Sequence, residues 1–512
     1  MESPLIYSTG MSVVTLVRPP VLAAKWSLGM PTCPPIGLAY IAGSLVEKGH
    51  DVRVVEAVGE ALDQRLPTND PRYLSHGLGL DEIVARIPVE SDVIAVSAMF
   101  SHEWPLTRDL LNGLRKRFPD TPIVAGGEHI TALPGFSLEN CPALDVAVLG
   151  EGEETMSDLV EALESGVSNL DEITGIVYRD KGTPRHTPAR PRMRALDDIT
   201  PPAWDLFPLE RYLEKGYGFG INRGRSMPVL ASRGCPYQCT FCSSPTMWGT
   251  RWVSRDVDLF FKEMMDYKEK YRIDNFDFYD LTAIVKKSWI VRFCDLVIDS
   301  GVSLTWQLPS GTRTEAIDGE VARSLHESGC RNLCYAPDSG SVTVLERIKK
   351  KIKLPTMKQS MRDAVAVGIN CKANIIIGYP GETHKEIWET MRFCISMALI
   401  GVHDMSIYPF SPYPGSELFD DLQKAGRAPT LDDDYFSSLA AYTDLTTITS
   451  CSEHISDKAL GRYRLFGMLL YYAMVYLSRP WRLIRTLRNV FSEQQESRLE
   501  MYLRDFLGSC VR

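Results

Sequence analysis

Two series of short apolar runs, each alternating with helical periodicity, restrict this chain to parallel α/β architecture. In the first, residues 13–17, 52–55, 93–96, 122–125 and 146–149 are too short for helices and are flanked by Pro, Gly or charge, as buried strands are. Residues 36–47, 81–87, 105–117 and 155–163 carry helical spacing between them. Such alternation makes a parallel sheet covered on both faces. The second series begins at 228–232 and continues through 275–279, 304–308, 332–335, 373–377 and 405–408. Six strands fall short of the eight of a complete β/α barrel and predict a partial one. From about residue 445 helical periodicity takes over.

The length of 512 residues exceeds what one core of roughly 250–300 residues supports. The divisions expected are 1–180 for the first unit, 181–208 for a linker, 209–444 for the barrel and 445–512 for a C-terminal helical region. Residues 180–202 are rich in Pro, Arg and Asp without periodicity, the composition of a solvated basic connector.

Ligands of parallel sheets gather at the carboxyl ends of strands. In the first unit these ends carry Arg18-Pro19-Pro20, Ser97 to Ser101, Gly126-Gly127-Glu128-His129 and Gly150-Glu151-Gly152-Glu153. Two of these loops are glycine-rich, which allows close backbone approach by a ligand. No G-x-G-x-x-G follows the first strand, which argues against a nicotinamide or flavin dinucleotide.

Directly after the first barrel strand stand Cys235, Cys239 and Cys242, a C-x3-C-x2-C triplet on one short loop. Closed structural zinc sites take four ligands, and no fourth Cys or His follows closely, so these thiolates suit an iron-sulfur cube with one iron left open. A zinc site completed from a distant segment and a chance grouping remain alternatives. Later barrel strands end in Tyr279-Asp280-Leu281-Thr282, Pro309 to Arg313, Pro337-Asp338-Ser339-Gly340-Ser341 and Gly378 to Thr383. The other nine cysteines lack a framework of close pairs, as expected in a reducing, cytoplasmic setting. Cys330 and Cys334 also admit reading as a second metal pair.

The triplet, with Phe241 in the aromatic place of C-x3-C-x-aromatic-C, resembles the radical SAM superfamily. Pro34-Pro35-Ile-Gly37-Leu38, Gly126-Gly127-x-His129-x-Thr131 and Gly150-Glu-Gly-Glu-x-Thr155 resemble the cobalamin-binding Rossmann-like domain found ahead of many radical SAM cores. The D-x-H-x-x-G motif that supplies a lower cobalt ligand is absent, so His129 is not assigned as one. The resemblance implies a [4Fe-4S] cluster on Cys235, Cys239 and Cys242, which are then both metal ligands and catalytic. It implies S-adenosylmethionine (SAM) contacts at Phe241, Asp280, Arg313, Asp338 and Ser339. Cobalamin contacts are implied at Ser97, Gly126, Gly127, Glu128, His129, Gly150, Glu151 and Gly152.

The expected activity is reductive SAM cleavage to a 5′-deoxyadenosyl radical followed by C-methylation. The rivals are oxidative cyclisation or rearrangement without methyl transfer, and a cluster-based sensor. An electron donor such as flavodoxin or ferredoxin is implied.

A net charge of −9 argues against a general nucleic-acid-binding surface. The N-terminus lacks a basic region followed by an apolar run, so no signal peptide is expected. Residues 465–477 form a thirteen-residue apolar run, short of the roughly 20 that span a bilayer. Arg479, Arg482, Arg485 and Arg488 follow, interleaved with Trp481, Leu483, Ile484 and Leu487. This composition suits a membrane-surface helix or a lid over an apolar substrate, and equally an ordinary helix packed on the barrel. A similar aromatic segment ending in Arg-Pro occurs in the branch that includes anaerobic magnesium-protoporphyrin ester cyclase and hopanoid-modifying enzymes, which hints at a large hydrophobic substrate.

Overall fold

The computed structural model describes residues 11–25, 32–166, 169–312, 316–442, 448–492 and 495–510. The first series of apolar runs forms a seven-stranded sheet. Its spatial order is Thr183–His186, Ile176–Asp180, Val146–Val148, Ile123–Gly126, Val93–Ser97, Val13–Arg18 and Asp51–Glu56. The last five are parallel, and the first two extend the edge as an antiparallel hairpin. Val14, Leu16, Ile94 and Val124 are buried from both sides, which is why these strands read as continuous apolar runs.

The hairpin strand Thr183–His186 lies inside the stretch expected to be a solvated connector. Its alternation is hidden because the strand is exposed and short of apolar residues. The connector's arginines are also not simply solvated: Arg190 pairs with Glu154 and Asp158, and Arg192 with Glu151. A second, three-stranded sheet of Val21–Ala24, Tyr73–His76 and Arg65–Pro67 had no counterpart in the sequence reading.

The second series forms a six-stranded, all-parallel sheet in sequential order: Ser226–Val229, Asn275–Phe278, Thr305–Thr312, Cys330–Asp338, Asn370–Ile377 and Asp404–Pro409. Sequential neighbours joined by helices give the partial (β/α)6 barrel. Cys330 and Cys334 are buried within one strand of it.

Beyond the last strand the chain turns back to the first unit. Phe419, Tyr435, Phe436 and Leu439 join the core on the outer face of the first sheet with Trp104, Leu110 and Ile130. Arg108 pairs with Asp433 at 2.8 Å, and Tyr73 donates to Ser437 O at 2.8 Å. The opposite core is continuous from Leu16 and Leu38 through Trp204 into Phe260 and Phe276 of the barrel.

The apolar run 465–477 lies within one helix, Asp457–Ser478, seated against the helix His384–Ile400 and the last barrel strand. Tyr471 is fully buried there and donates to Val402 O at 2.8 Å. Arg479 donates to Ala398, Leu399 and Ile400 carbonyls, and Arg482 to Gly401 O. These guanidiniums meet the unsatisfied carbonyls and negative end of helix His384–Ile400. Among the described residues no helix is long and apolar enough to cross a membrane. Tyr471→Phe removes this bond and leaves Val402 O with only the longer one from Arg482 Nη1 at 3.4 Å, and it is expected to destabilise by about 0.5–1.5 kcal/mol, read as a lowered thermal unfolding midpoint.

Candidate active site between two loop sets

The three cysteines sit on a loop cinched at its base by a two-stranded ribbon, Ser232–Arg233 against Val253–Ser254. Gly234 opens the loop at φ +83°, and a Cβ there would lie 2.2 Å from Arg251 O, so only glycine fits. Cys242 N donates to Cys239 O, which curls the loop. None of the three cysteines is in a disulfide, and all are partly exposed. Cys235 Sγ lies 3.5 Å from Thr282 Oγ1, and Cys242 donates to Ser244 Oγ at 3.2 Å. Burial pushes the Cys242 thiol up, against the pull of Ser244.

The chemistry of this donor set fits a cube. Cluster cysteines each bind a different iron, so they need not converge on one point. Among the described residues no three His, Cys, Asp or Glu side chains converge to hold a single ion. A second observation concerns Tyr379, which follows the fifth barrel strand and was not singled out in the sequence. Its side chain is fully buried, its ring is 5.8 Å from that of Phe241, and its hydroxyl has no hydrogen-bond partner. Burial, then Asp338, Glu382, Cys239 and Cys242, hold this phenol protonated. An orphaned O–H donor beside two thiols is what cluster sulfur would satisfy.

The resemblance-implied SAM residues fall into distinct roles. Asp280 is buried, and its oxygens accept from Ala231 N at 3.1 Å and Ser232 Oγ at 2.5 Å. Burial raises its carboxyl to about 6. It braces the strand end that launches the cysteine loop rather than offering a free carboxylate. Asp338 has φ +60° and pairs with Lys350 at 2.5 Å, and that ammonium stands 6.0 Å from the Phe241 ring. The hydroxyl of Ser339 is turned inward, 3.1 Å from Thr390 Oγ1 and accepting from Ser341 N, so it shapes the turn. Arg313 lies outside the described residues.

The loops implied for cobalamin face the same cysteine loop. Ser97 ends its strand beside Gly126, and Gly127 adopts φ +120° where a Cβ would stand 2.7 Å from Ala98 O. Glu128 accepts from Ser243, the residue after Cys242. Gly150 donates to Thr131 Oγ1 at 3.0 Å. Gly152 precedes the helix Glu153–Glu164. Glu151 accepts from Met193 N, Arg192 and Arg233, while Glu153 meets Arg233 at 2.6 Å.

Arg233 therefore bridges two carboxylates of the first unit while standing two residues before Cys235. It is buried, as are both partners, and it covers the rings of Tyr40 and Trp248 at 5.1 and 5.9 Å. Burial opposes its charge, and Glu153 and Glu151 outweigh that and keep it protonated.

His129 is a correction. Both ring nitrogens are engaged, by Ser101 and Ser137, and the ring stacks on Trp104 at 4.6 Å. Burial lowers its pKa to about 3. It is a neutral core histidine rather than a cofactor contact.

With that geometry in place, comparison with known proteins is decisive at domain level. The B12 binding domain family matches residues 31–160, and the Radical SAM superfamily matches 229–394.

The chain carries a cobalamin-binding domain joined to a radical SAM domain.

It is a radical SAM enzyme, and the cofactors of this domain pair are a [4Fe-4S] cluster, SAM and cobalamin. An uncharacterised methyltransferase of Pyrococcus horikoshii is 29% identical over 411 residues, spanning 80% of this chain and 82% of that one. The cytidylyl-2-hydroxyethylphosphonate methyltransferase of Streptomyces wedmorensis is 29% identical over 428 residues, 78% of this chain and 79% of that one. Anaerobic magnesium-protoporphyrin IX monomethyl ester cyclase of Rubrivivax gelatinosus is 26% identical over 76% of this chain and 66% of its own. In fold, this radical SAM enzyme resembles the cobalamin-dependent enzyme OxsB (TM-score 0.69, 15% identity, 98% of this chain and 71% of that one). It also resembles the methyltransferase TsrM of Kitasatospora setae (TM-score 0.63, 16% identity, 81% of this chain and 79% of that one).

Two predictions follow from the wall between the loop sets. Arg233→Met strands Glu153 in the interior, while Glu151 keeps Arg192 and Met193 N, and is expected to cost about 3–5 kcal/mol, seen as a lower unfolding midpoint together with reduced cobalamin retention. Tyr379→Phe removes the donor beside Cys239 and Cys242, so the cluster's reduction potential is expected to shift negative in an EPR-monitored titration.

Proposed function

We propose that this radical SAM enzyme transfers a methyl group to an unactivated carbon of a hydrophobic small molecule. The carrying observation is that Arg233 and Ser243, on either side of the cysteine triplet, bond directly to Glu151, Glu153 and Glu128 of the loops that end the cobalamin-domain strands. That contact favours two cofactors acting on one substrate. When bound, the cluster supplies an electron to SAM to generate the 5′-deoxyadenosyl radical, and cobalamin supplies methyl-carrying capacity. Cys235, Cys239 and Cys242 would hold the cluster, the turn at Asp338 and Phe241 would flank SAM, and the loops at 97, 126–128 and 150–152 would line the corrin. The protein's own work is orientation and exclusion of water. Asp280 fixes the strand end beneath the cysteines, and Gly127 brings its loop against Ala98.

The methyltransferase names of the relatives from Pyrococcus horikoshii and Streptomyces wedmorensis support methylation. Cyclisation without methyl transfer is the second reading, favoured by cyclase relatives at 24–26% identity. We assign the electrons to a flavodoxin- or ferredoxin-type donor in the cytoplasm. The basic turn Arg347, Lys349, Lys350, Lys351 and Lys353 supports this, since Thr240 N of the cysteine loop donates to Ile348 O within it at 3.1 Å.

Turnover with SAM carrying a labelled methyl group separates the readings: label in the product is expected, and 5′-deoxyadenosine formed with unlabelled product defeats methylation. Cys239→Ala is expected to abolish both iron incorporation and SAM cleavage after anaerobic reconstitution, and retained cleavage would remove the cluster assignment.

A further inference from the structure

The segment Lys458–Ser492 contains seven Lys or Arg residues and no Asp or Glu, in a chain whose net charge is −9. It also holds the densest group of exposed large apolar side chains in the described structure. On the helix Trp481–Val490 and the residue after it, Trp481 is 62% exposed, Ile484 72% and Phe491 81%. Leu483 and Leu487 are exposed as well. At 100° per residue, Leu483, Leu487, Phe491, Ile484, Arg488, Trp481 and Arg485 follow one another around a single arc. Asn489 and Val490 take the remaining side and are buried against the protein.

The arc does not end with that helix. Arg479 holds Leu399 O at 3.0 Å, which places exposed Leu399 beside the turn that also carries exposed Leu477. Farther along, Trp388 and Phe466 are exposed with ring centroids 5.9 Å apart, and Leu465 and Leu469 accompany them. Exposed apolar side chains gathered on these neighbouring helices mark an interaction site. Its rim decides which kind. Lys458, Arg462 and Arg488 are exposed, and among the described residues Arg485 makes a surface ion pair with Glu496. Surface pairs of this sort contribute little and are readily exchanged for other anions.

We propose that this face is a docking surface for an anionic lipid bilayer, with Trp481, Ile484, Leu487 and Phe491 entering the headgroup boundary and the arginines contacting lipid phosphates. An amphipathic helix with apolar and basic residues on adjoining arcs lies in the interface plane. Each basic group near an anionic leaflet strengthens partitioning about fivefold. Arg479 and Arg482 serve a different purpose: they anchor the docking helix to the barrel, so that membrane contact is transmitted to a rigid body. The surface lies on the outer flank of the last barrel strands and involves none of the cofactor loops.

The test is sedimentation of the full-length protein with vesicles of pure phosphatidylcholine and with vesicles containing phosphatidylglycerol. Binding is expected to the anionic vesicles, weakened by salt, with tryptophan emission quenched by brominated lipid. The triple variant Trp481→Ser/Ile484→Ser/Phe491→Ser is expected to partition about tenfold or more weakly, and Arg485→Gln/Arg488→Gln to lose the preference for anionic lipid. Unfolding midpoints check that each variant folds, and the quenching arm requires no variant. Failure of the unaltered protein to bind anionic vesicles at low salt overturns the proposal. So does unchanged binding by the folded triple variant, or self-association through this face without vesicle binding. Cys239→Ala protein is expected to bind vesicles normally, which keeps this outcome separate from that of the catalytic reading.

Discussion

One buried guanidinium organises the catalytic half of this molecule. Arg233, in the ribbon just beyond the first barrel strand, reaches Glu151 and Glu153 in the loop and helix start after a strand of the other domain, and is followed two residues later by the first cysteine. A charge in that position is tolerable only because both carboxylates meet it and two aromatic rings cover it. The requirement works in both directions. Glu153 and Arg233 cannot be buried alone, so this pair, with Arg192 on Glu151 and Ser243 on Glu128, sets the loop that would hold a corrin against the loop that would hold an iron-sulfur cube.

Around this junction, polar groups divide into those that support and those that face the opening. Asp280 and Ser339 spend their hydrogen bonds on the backbone beneath the site, and Glu382 does likewise with Gly378 and Tyr379 amides. Burial lifts the Glu382 carboxyl to about 7. The three thiols are partly exposed, and the Tyr379 hydroxyl is buried with no hydrogen-bond partner. The cysteine loop is tied at its base by the ribbon and along its length by Thr240 N to Ile348 O and Ser243 to Glu128.

The order and type of elements were legible in the chain because each is encoded locally. The helix Ile36–Glu47 and the parallel strands around it follow from period and flanking residues alone. The cysteine triplet was legible because three thiols on one loop have few uses. Direction of side chains was not legible. Nothing in Gly126-Gly127-Glu128-His129 tells that Glu128 turns toward Ser243 while His129 turns into the core against Trp104. Tyr379 passed unnoticed for the same reason, since its interest lies in what its hydroxyl lacks. The hairpin strand at 183–186 escaped because an exposed, polar edge strand carries no apolar alternation, and the small three-stranded sheet because its strands are only three or four residues long.

The return of residues 419–439 to the first sheet has a temporal consequence. Phe436 sits edge-on to His129, and Phe419, Tyr435 and Leu439 cover the same core, yet some 300 residues separate them from it in the chain. A ribosome adding about 5–20 residues per second needs on the order of tens of seconds to bridge that gap. Throughout that interval the nascent N-terminal domain presents an uncovered hydrophobic flank, so a chaperone or the ribosome surface must shelter it until the final third of the polypeptide arrives.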